Sequence, residues 1–271
     1  MIQLIYNYLW SQQEPINLLP EHRIPLFEYL NGSELGNCRL VCRAWNTLLS
    51  SDYAIEILWN RIMDKVAFGT KQWLKYYGDV GKEPTLPKNI RTILIEKCPI
   101  WPHLKVYQTH RLILKPKTLN GTQVTLSMLA NLTQNPRQGK ILDFNMHADV
   151  ARDHGRTPVE SSQWLLVPKW PIDIFSPYGN FFGSECYSQQ EIVQRLNKNS
   201  NVHYHVPNVL DAAISFVARC VTGDKVGGMI QCQEETNGHQ LDIDLDKPDT
   251  VKIYDDDQTN GTPRLLLIRK L

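Results

Sequence analysis

Hydrophobic and polar positions follow a helical period early in the chain. The apolar residues from Ile55 to Ile62 are spaced i, i+3, i+4 and i+7, which places them on one face of a predicted helix. An aromatic cluster follows between Trp73 and Tyr77. Two glycines and the segment 83–87, which contains two prolines, then end the helical pattern and predict a linker.

Beyond residue 85 the pattern becomes typical of strands. The stretch Val106–Leu114 is rich in residues that favour strands. Three Asn-Gly pairs begin at Asn120, Asn237 and Asn260. They predict tight hairpin turns, because both residues tolerate positive φ angles. After the second pair, residues 241–245 alternate between apolar side chains and aspartates, which predicts a strand with one buried and one solvent-exposed face.

Two further helices are predicted among these strands. One begins at Ser188 and has a glutamate three residues later, the pattern of a capping box. The other follows Pro207, carries an apolar stripe from Leu210 to Val221 and ends at Gly223. Residues 134–187 contain five prolines and are predicted to form long loops. This order of elements predicts an α+β domain.

Composition narrows the class of protein without naming a function. The chain has 271 residues, of which 42% are hydrophobic and 21% charged, so it can build one large core or two modest ones. The net charge of +1, without a basic stripe, argues against nucleic acid. The six cysteines are scattered and are predicted to be reduced thiols.

Neither of two apolar stretches has the features of a membrane span or an export signal. The longest strongly apolar stretch, Val209–Val221, is shorter than the ~20 residues that span a bilayer and contains two charged side chains, Asp211 and Arg219. The first ten residues lack a basic region and a cleavage site, so they do not predict a signal peptide. We therefore expect a soluble, cytoplasmic protein without a membrane partner.

The segment Leu18–Ile62 is the most informative part of the chain. Three short helices with apolar stripes are predicted within it, and Asn31-Gly32 separates the first helix from the second. A unit this small buries too little apolar surface to be stable alone. Its exposed apolar positions therefore need a partner, either the next domain or another protein.

The order of motifs in this segment resembles the F-box. The matching residues are Leu19-Pro20, Phe27 and Leu30, Leu35 and Cys38, Leu40-Val41-Cys42 and Trp45, and Leu58-Trp59. The resemblance spans about a sixth of the chain. One departure is Pro25, since proline inside a helix costs ~3 kcal/mol. Pro20 is one possible start of the first helix, since proline is tolerated at the first helical position, and Pro25 is the other.

The resemblance implies a role, a partner and a set of contact residues. F-box modules bind the Skp-family adaptor of cullin–RING ubiquitin ligases, and a second domain of the same chain holds a protein target. By motif position, the residues expected to contact the adaptor are Leu19, Pro20, Phe27, Leu30, Leu40, Val41, Cys42 and Trp45. Some of these must instead close the core of the module itself.

The predicted organisation follows from the motif and the patterns around it. It consists of an N-terminal segment (1–14), a small three-helix F-box module (15–62), a helical, proline-containing linker (63–99) and a mixed α+β domain with antiparallel hairpins (100–271). In this interpretation the chain is not an enzyme and needs no cofactor.

A second resemblance concerns the segments Trp73–Lys97 and 106–126. They look similar to a family of F-box-bearing proteins from chlamydia-like bacteria. This resemblance implies an effector that works in the cytoplasm of a eukaryotic host and uses the ligase of that host.

An enzyme in residues 100–271, merely localised by the F-box, is the main alternative. A cysteine hydrolase would pair Cys98 or Cys186 with one of four histidines, His110, His147, His203 or His205. A metal site would draw on His147, Asp149, Asp153 and His154, on His203 and His205, or on the acidic run Asp255–Asp257. We expect solvated or buried side chains without these roles. No phosphate-binding glycine motif occurs in the sequence.

A third interpretation is a structural protein whose helical hairpin is purely intramolecular. It predicts that Val41 and Trp45 are buried against the C-terminal half of the same chain.

Overall fold

Residues Asp52–Val66 form a 15-residue helix, α1, which contains the helical pattern that the sequence shows from Ile55 to Ile62. The structure, a computed structural model, describes residues 52–170, 172–173, 189–198, 203–223, 229–245, 249–255 and 263–271. The chain divides into two units, Met1–Lys65 and Val66–Leu271. Most of the predicted three-helix module lies outside the described residues, so that part of the fold stays a prediction.

The unit Val66–Leu271 contains both helices and strands. Its helices are α2 (Thr70–Tyr76), α3 (Ile90–Ile95), α4 (Val106–Thr109), α5 (Leu126–Gln134), α6 (Ala148–Asp153), α7 (Gln189–Lys198) and α8 (Val209–Thr222). Its strands are β1 (Ala67–Phe68), β2 (His110–Lys115), β3 (Thr118–Leu119), β4 (Thr122–Gln123), β5 (Asp143–Met146), β6 (Gln163–Pro168), β7 (Ile172–Asp173), β8 (Met229–Thr236), β9 (His239–Asp244), β10 (Thr250–Tyr254), β11 (Pro263–Leu265) and β12 (Arg269–Lys270). The predicted α+β class is confirmed.

A four-stranded sheet has the order β1-β2-β6-β12. Strand β1 runs parallel to β2, while β2 and β12 are both antiparallel to β6. The prediction of long loops for residues 134–187 is wrong where the structure describes this range, because β5, α6 and β6 lie in it. Strand β6 was missed because Trp164–Val167 is buried at every position, so its sequence does not alternate.

A six-stranded sheet has the order β5-β10-β9-β8-β11-β7, with two parallel pairs, β5/β10 and β8/β11. Two of the predicted Asn-Gly hairpins are confirmed. Asn237 and Gly238 join β8 to β9 with φ angles of 55° and 82°, and the turn that begins at Asn120 joins β3 to β4. The third pair, which begins at Asn260, lies outside the described residues.

The alternation predicted for residues 241–245 is only half right. The apolar side chains of this stretch are buried, as predicted. Asp242, however, is only 6% exposed, although it was assigned to the solvent-exposed face. Strand β9 lies inside the sheet, and Asp242 is opposite Gln231 on one neighbouring strand and Tyr254 on the other. These flanking side chains account for its burial.

Helix α8 is the centre of the hydrophobic core. It contacts β2 of the four-stranded sheet and β8 and β9 of the six-stranded sheet. Its predicted limits are confirmed: the Asn208 side chain caps the first turn, and Gly223 ends the helix with a left-handed φ of 77°. All residues from Val209 to Arg219 are buried, because the helix contacts both sheets rather than presenting one apolar stripe.

The aromatic cluster at the end of the first helical region anchors α2. Trp73 is fully buried, and its Nε1 donates a hydrogen bond of 2.8 Å to the carbonyl oxygen of Leu114. The segment 83–87 also contacts this unit, because Trp164 Nε1 donates to the carbonyl oxygen of Pro84 at 3.0 Å. Helix α2 and the segment 83–87 are therefore both packed against the four-stranded sheet.

Candidate functional site

The residues expected to contact an adaptor lie outside the described residues. They are Leu19, Pro20, Phe27, Leu30, Leu40, Val41, Cys42 and Trp45. Their roles, and the alternative burial of Val41 and Trp45 against the C-terminal half, stay predictions.

A cleft of about 330 Å³ opens at the N-terminus of α8. Seven parts of the chain line it: Lys115 at the end of β2, His154 after α6, the loop 157–161, Gln163 on β6, the start of α8 from Asn208 to Leu210, Glu234 on β8 and Lys270 on β12. Both sheets and the central helix therefore contribute side chains. A cleft of this kind, lined largely by polar and charged groups, suits a polar ligand.

Two lysines of the cleft share one buried carboxylate. Lys115 Nζ donates a hydrogen bond of 2.6 Å to Asp211 Oδ1, and Lys270 Nζ lies 3.5 Å from Asp211 Oδ2. Lys115 and Asp211 are both buried, whereas the Lys270 side chain is 45% exposed. The carboxylate holds the Lys115 ammonium at the cleft wall.

Three further titratable groups line the cleft: Glu160, Glu234 and His154. Glu234 accepts a hydrogen bond of 2.8 Å from the backbone N–H of Val209, and burial raises the pKa of its carboxyl above the usual range. His154 Nε2 lies 3.0 Å from Thr236 Oγ1, which fixes its ring. The cleft therefore offers ammonium donors and carboxylate acceptors, a combination suited to recognition.

The cleft was not predicted, but one signal for it is present in the sequence. Asp211 lies in the longest strongly apolar stretch, and a buried charge requires a partner. The sequence does not identify Lys115 as that partner, because 96 residues separate the two along the chain.

Two of the candidate hydrolase residues, Cys98 and His110, are buried. The Cys98 thiol is buried and accepts a hydrogen bond from the backbone N–H of Trp101. His110 is buried between Thr109 Oγ1 at 2.8 Å and Tyr204 OH at 3.0 Å. Burial, with a smaller contribution from the charge of Lys169, lowers the pKa of His110 to about 3. Neither side chain is accessible to a substrate, and Cys186 lies outside the described residues.

Three of the predicted metal-ligand candidates lie close together in the structure, and the other described candidates do not join them. It brings His147, Asp149 and Asp255 together, with His147 Nδ1 3.2 Å from Asp255 Oδ1 and 3.8 Å from Asp149 Oδ2. Both carboxylates already have protein partners. Asn237 Nδ2 donates to them at 3.2 and 3.0 Å, and Arg152 donates to Asp149.

The remaining candidates lie elsewhere. Asp153 pairs with Arg152 at 2.7 Å, and His154 belongs to the cleft. His203 is exposed, whereas His205 is half-buried. Asp256 and Asp257, the other two residues of the acidic run, lie outside the described residues.

The predicted state of the cysteines is confirmed where the structure describes them. Cys98, Cys220 and Cys232 are free thiols, and burial raises the pKa of Cys220 to about 12. Among the described helices, none is both long and apolar enough to span a bilayer.

The chain was compared with known protein families, curated proteins and solved structures. Residues 23–64 match the family model of the F-box-like domain. This match confirms the resemblance found in the sequence, over a range that contains six of the eight predicted contact residues and leaves Leu19 and Pro20 before it. Comparisons with curated proteins and with solved structures gave no match.

Proposed function

This chain carries an F-box-like domain, and we propose that it is the adaptor that joins a protein target to a cullin–RING ubiquitin ligase. The observation that carries the proposal is the match of residues 23–64 to the F-box-like family. The expected partner is a Skp-type subunit. Helical docking of this kind depends on aliphatic and aromatic anchors, here the apolar side chains between Phe27 and Trp45.

The unit Val66–Leu271 would hold the target in this proposal. Its support is the polar cleft at the start of α8, which offers both donors and acceptors to a peptide. A domain with a core of its own, built on two sheets and a central helix, can present such a cleft on rigid elements.

Ubiquitin transfer would be carried out by the other subunits of the ligase. The adaptor contributes proximity, because holding the target beside the charged E2 raises their effective concentration. The burial of Cys98 and His110 favours this non-catalytic role over a hydrolase that uses these residues.

The place of action follows from the partner. With a Skp-type subunit and a cullin as partners, the chain would act in the cytoplasm. The similarity of Trp73–Lys97 and 106–126 to F-box-bearing proteins of chlamydia-like bacteria extends the proposal to the cytoplasm of a host, where a bacterial effector would recruit the ligase of that host.

Immobilised Skp-type adaptor tests the proposal. The full chain should be retained, and the double variant Leu30→Ala/Trp45→Ala should pass through, because it lacks two apolar anchors of the F-box. Leu74→Ala/Ile95→Ala is the matched control, since it removes two exposed apolar side chains from the other unit. Equal helical content in circular dichroism shows that the variants are folded. Retention of Leu30→Ala/Trp45→Ala at the level of the control would contradict the proposal.

A further inference from the structure

Within the trio Lys115, Asp211 and Lys270, at a cleft that is also lined by Glu160 and Glu234, ammonium groups outnumber carboxylates. The Lys115 ammonium lies 2.6 Å from Asp211 Oδ1, and the Lys270 ammonium lies 3.5 Å from Asp211 Oδ2. Two positive charges therefore face one negative charge. The longer distance leaves the Lys270 ammonium, on a half-exposed side chain, able to turn toward an anion in the cleft.

Hydrogen bonding within the trio is incomplete. Lys115 is only 7% exposed and lines the cleft, and its ammonium has three N–H donors. Within the described parts of the chain it donates one hydrogen bond, to Asp211. Buried donors normally find acceptors. An acceptor bound in the cleft would satisfy Lys115 without displacing Asp211.

The other titratable groups of the cleft are Glu160, Glu234 and His154. Glu234 accepts from the first N–H of α8, and His154 is held by Thr236. The two glutamates are hydrogen-bond acceptors, whereas the two lysines are donors. The lining therefore matches a ligand that presents a carboxylate together with N–H groups.

We propose that this cleft binds the C-terminal carboxylate of the target polypeptide, with Lys115 and Lys270 as its contacts. The inference rests on the proposed function, which makes a polypeptide the ligand of this unit. The last residue of a peptide presents a carboxylate next to a backbone N–H. The volume of about 330 Å³ lies at the lower end of the ~300–1,000 Å³ of small-ligand sites, which suits the end of a chain.

Affinity selection with the full chain tests the inference. The probe is a pool of peptides whose last four residues are randomised, made with a free carboxylate and, in an isotopically distinct version, as the C-terminal amide. Mass spectrometry of the captured pool gives the ratio of the two forms. We expect at least about a tenfold preference for the carboxylate, the size of one charge-assisted hydrogen bond.

Two variants assign the preference to the cleft. Lys270→Gln should abolish most of it, and since the side chain is 45% exposed, the variant should fold normally. Lys252→Gln is the matched control, because Lys252 is an exposed lysine on β10 outside the cleft. Equal capture of both peptide forms by the wild-type chain, or an unchanged preference in Lys270→Gln, would overturn the inference.

The selection contains no adaptor, so its result is separate from the proposed function. Adaptor binding without a carboxylate preference would remove this inference and leave the proposed function standing. A carboxylate preference without adaptor binding would support the site and contradict the ligase role.

Discussion

The ammonium of Lys115 donates a hydrogen bond of 2.6 Å to the carboxylate of Asp211, and both side chains are buried. Lys115 ends strand β2, and Asp211 lies in the first turn of helix α8. The pair therefore joins the four-stranded sheet to the central helix at the wall of the cleft. Its two members depend on each other, because a buried charge without its partner is strongly unfavourable.

Removal of one member of this pair should destabilise the fold. We expect Asp211→Leu to lower the free energy of unfolding by about 3–5 kcal/mol, since it leaves the buried Lys115 ammonium unpaired and also removes the carboxylate near Lys270. Lys115→Met should cost less, because Lys270 remains beside the carboxylate. Denaturant titration of each variant gives these values.

The double variant Lys115→Met/Asp211→Leu is the control for the pair. It should regain most of the stability that Asp211→Leu loses, because no uncompensated charge remains in the core. Strictly additive losses in the double variant would show that the two side chains are not coupled.

The protonation of His110 should make the fold sensitive to acid. Burial lowers the pKa of His110 from 6.5 to about 3, so the folded chain binds fewer protons than the unfolded chain between these two values. The stability that depends on neutral His110 is complete above pH 6.5 and is lost as the pH falls toward 3. One such group contributes a slope of up to about 1.4 kcal/mol per pH unit.

Unfolding of His110→Gln as a function of pH measures this contribution. Glutamine can retain hydrogen bonds to Thr109 and Tyr204 but does not titrate. The variant should therefore lose less stability than the wild-type chain between pH 6.5 and pH 4. Parallel curves for the two proteins over this range would mean that His110 is not buried in its neutral form.

Alanine substitutions at two glycines with positive φ, Gly78 and Gly121, should separate the cost of backbone strain from the cost of steric overlap. Gly78 has a φ of 150°, and a Cβ atom there would lie 2.2 Å from Asn120 Oδ1. Gly121 has a φ of 79°, with no atom within 4 Å of such a Cβ. We expect Gly121→Ala to cost about 1 kcal/mol from backbone strain, and Gly78→Ala to cost more. Equal unfolding midpoints for the two variants would contradict this assignment.

Trp73 and its neighbour Leu74 offer a matched test of core burial. Trp73 is fully buried and hydrogen-bonded to the Leu114 carbonyl, whereas Leu74 is 50% exposed. Trp73→Ala should lower the free energy of unfolding by about 3–5 kcal/mol, and Leu74→Ala by less than about 0.5 kcal/mol. Denaturant titration checks both values. A loss for Trp73→Ala as small as that for Leu74→Ala would contradict the burial of Trp73 in the core.

Local features of the fold could be predicted from the sequence. The hairpin at Asn237-Gly238 and the limits of α8 at Asn208 and Gly223 depend on the φ preferences and capping groups of neighbouring residues. Short-range sequence therefore contains the information that sets them. Strand β6 was missed for the opposite reason, since its burial on both faces depends on elements far along the chain.

The candidate site could not be predicted from the sequence. Lys115, Asp211, Glu234 and Lys270 come from four separate elements that meet only in the folded chain. An aspartate in an apolar stretch signals a buried partner, but it does not identify that partner. The F-box-like domain was found directly because its motif is contiguous, so spacing alone carries the signal.

Complex formation with a purified Skp-type adaptor is the direct test of the proposal that this chain is a ubiquitin-ligase adaptor. The full chain and the adaptor, mixed in equal amounts at about 10 μM, would be separated by size-exclusion chromatography with light scattering. We expect a single peak whose mass equals the adaptor plus one chain of 31.3 kDa. Two separate peaks from a chain that is folded in circular dichroism would contradict the adaptor role.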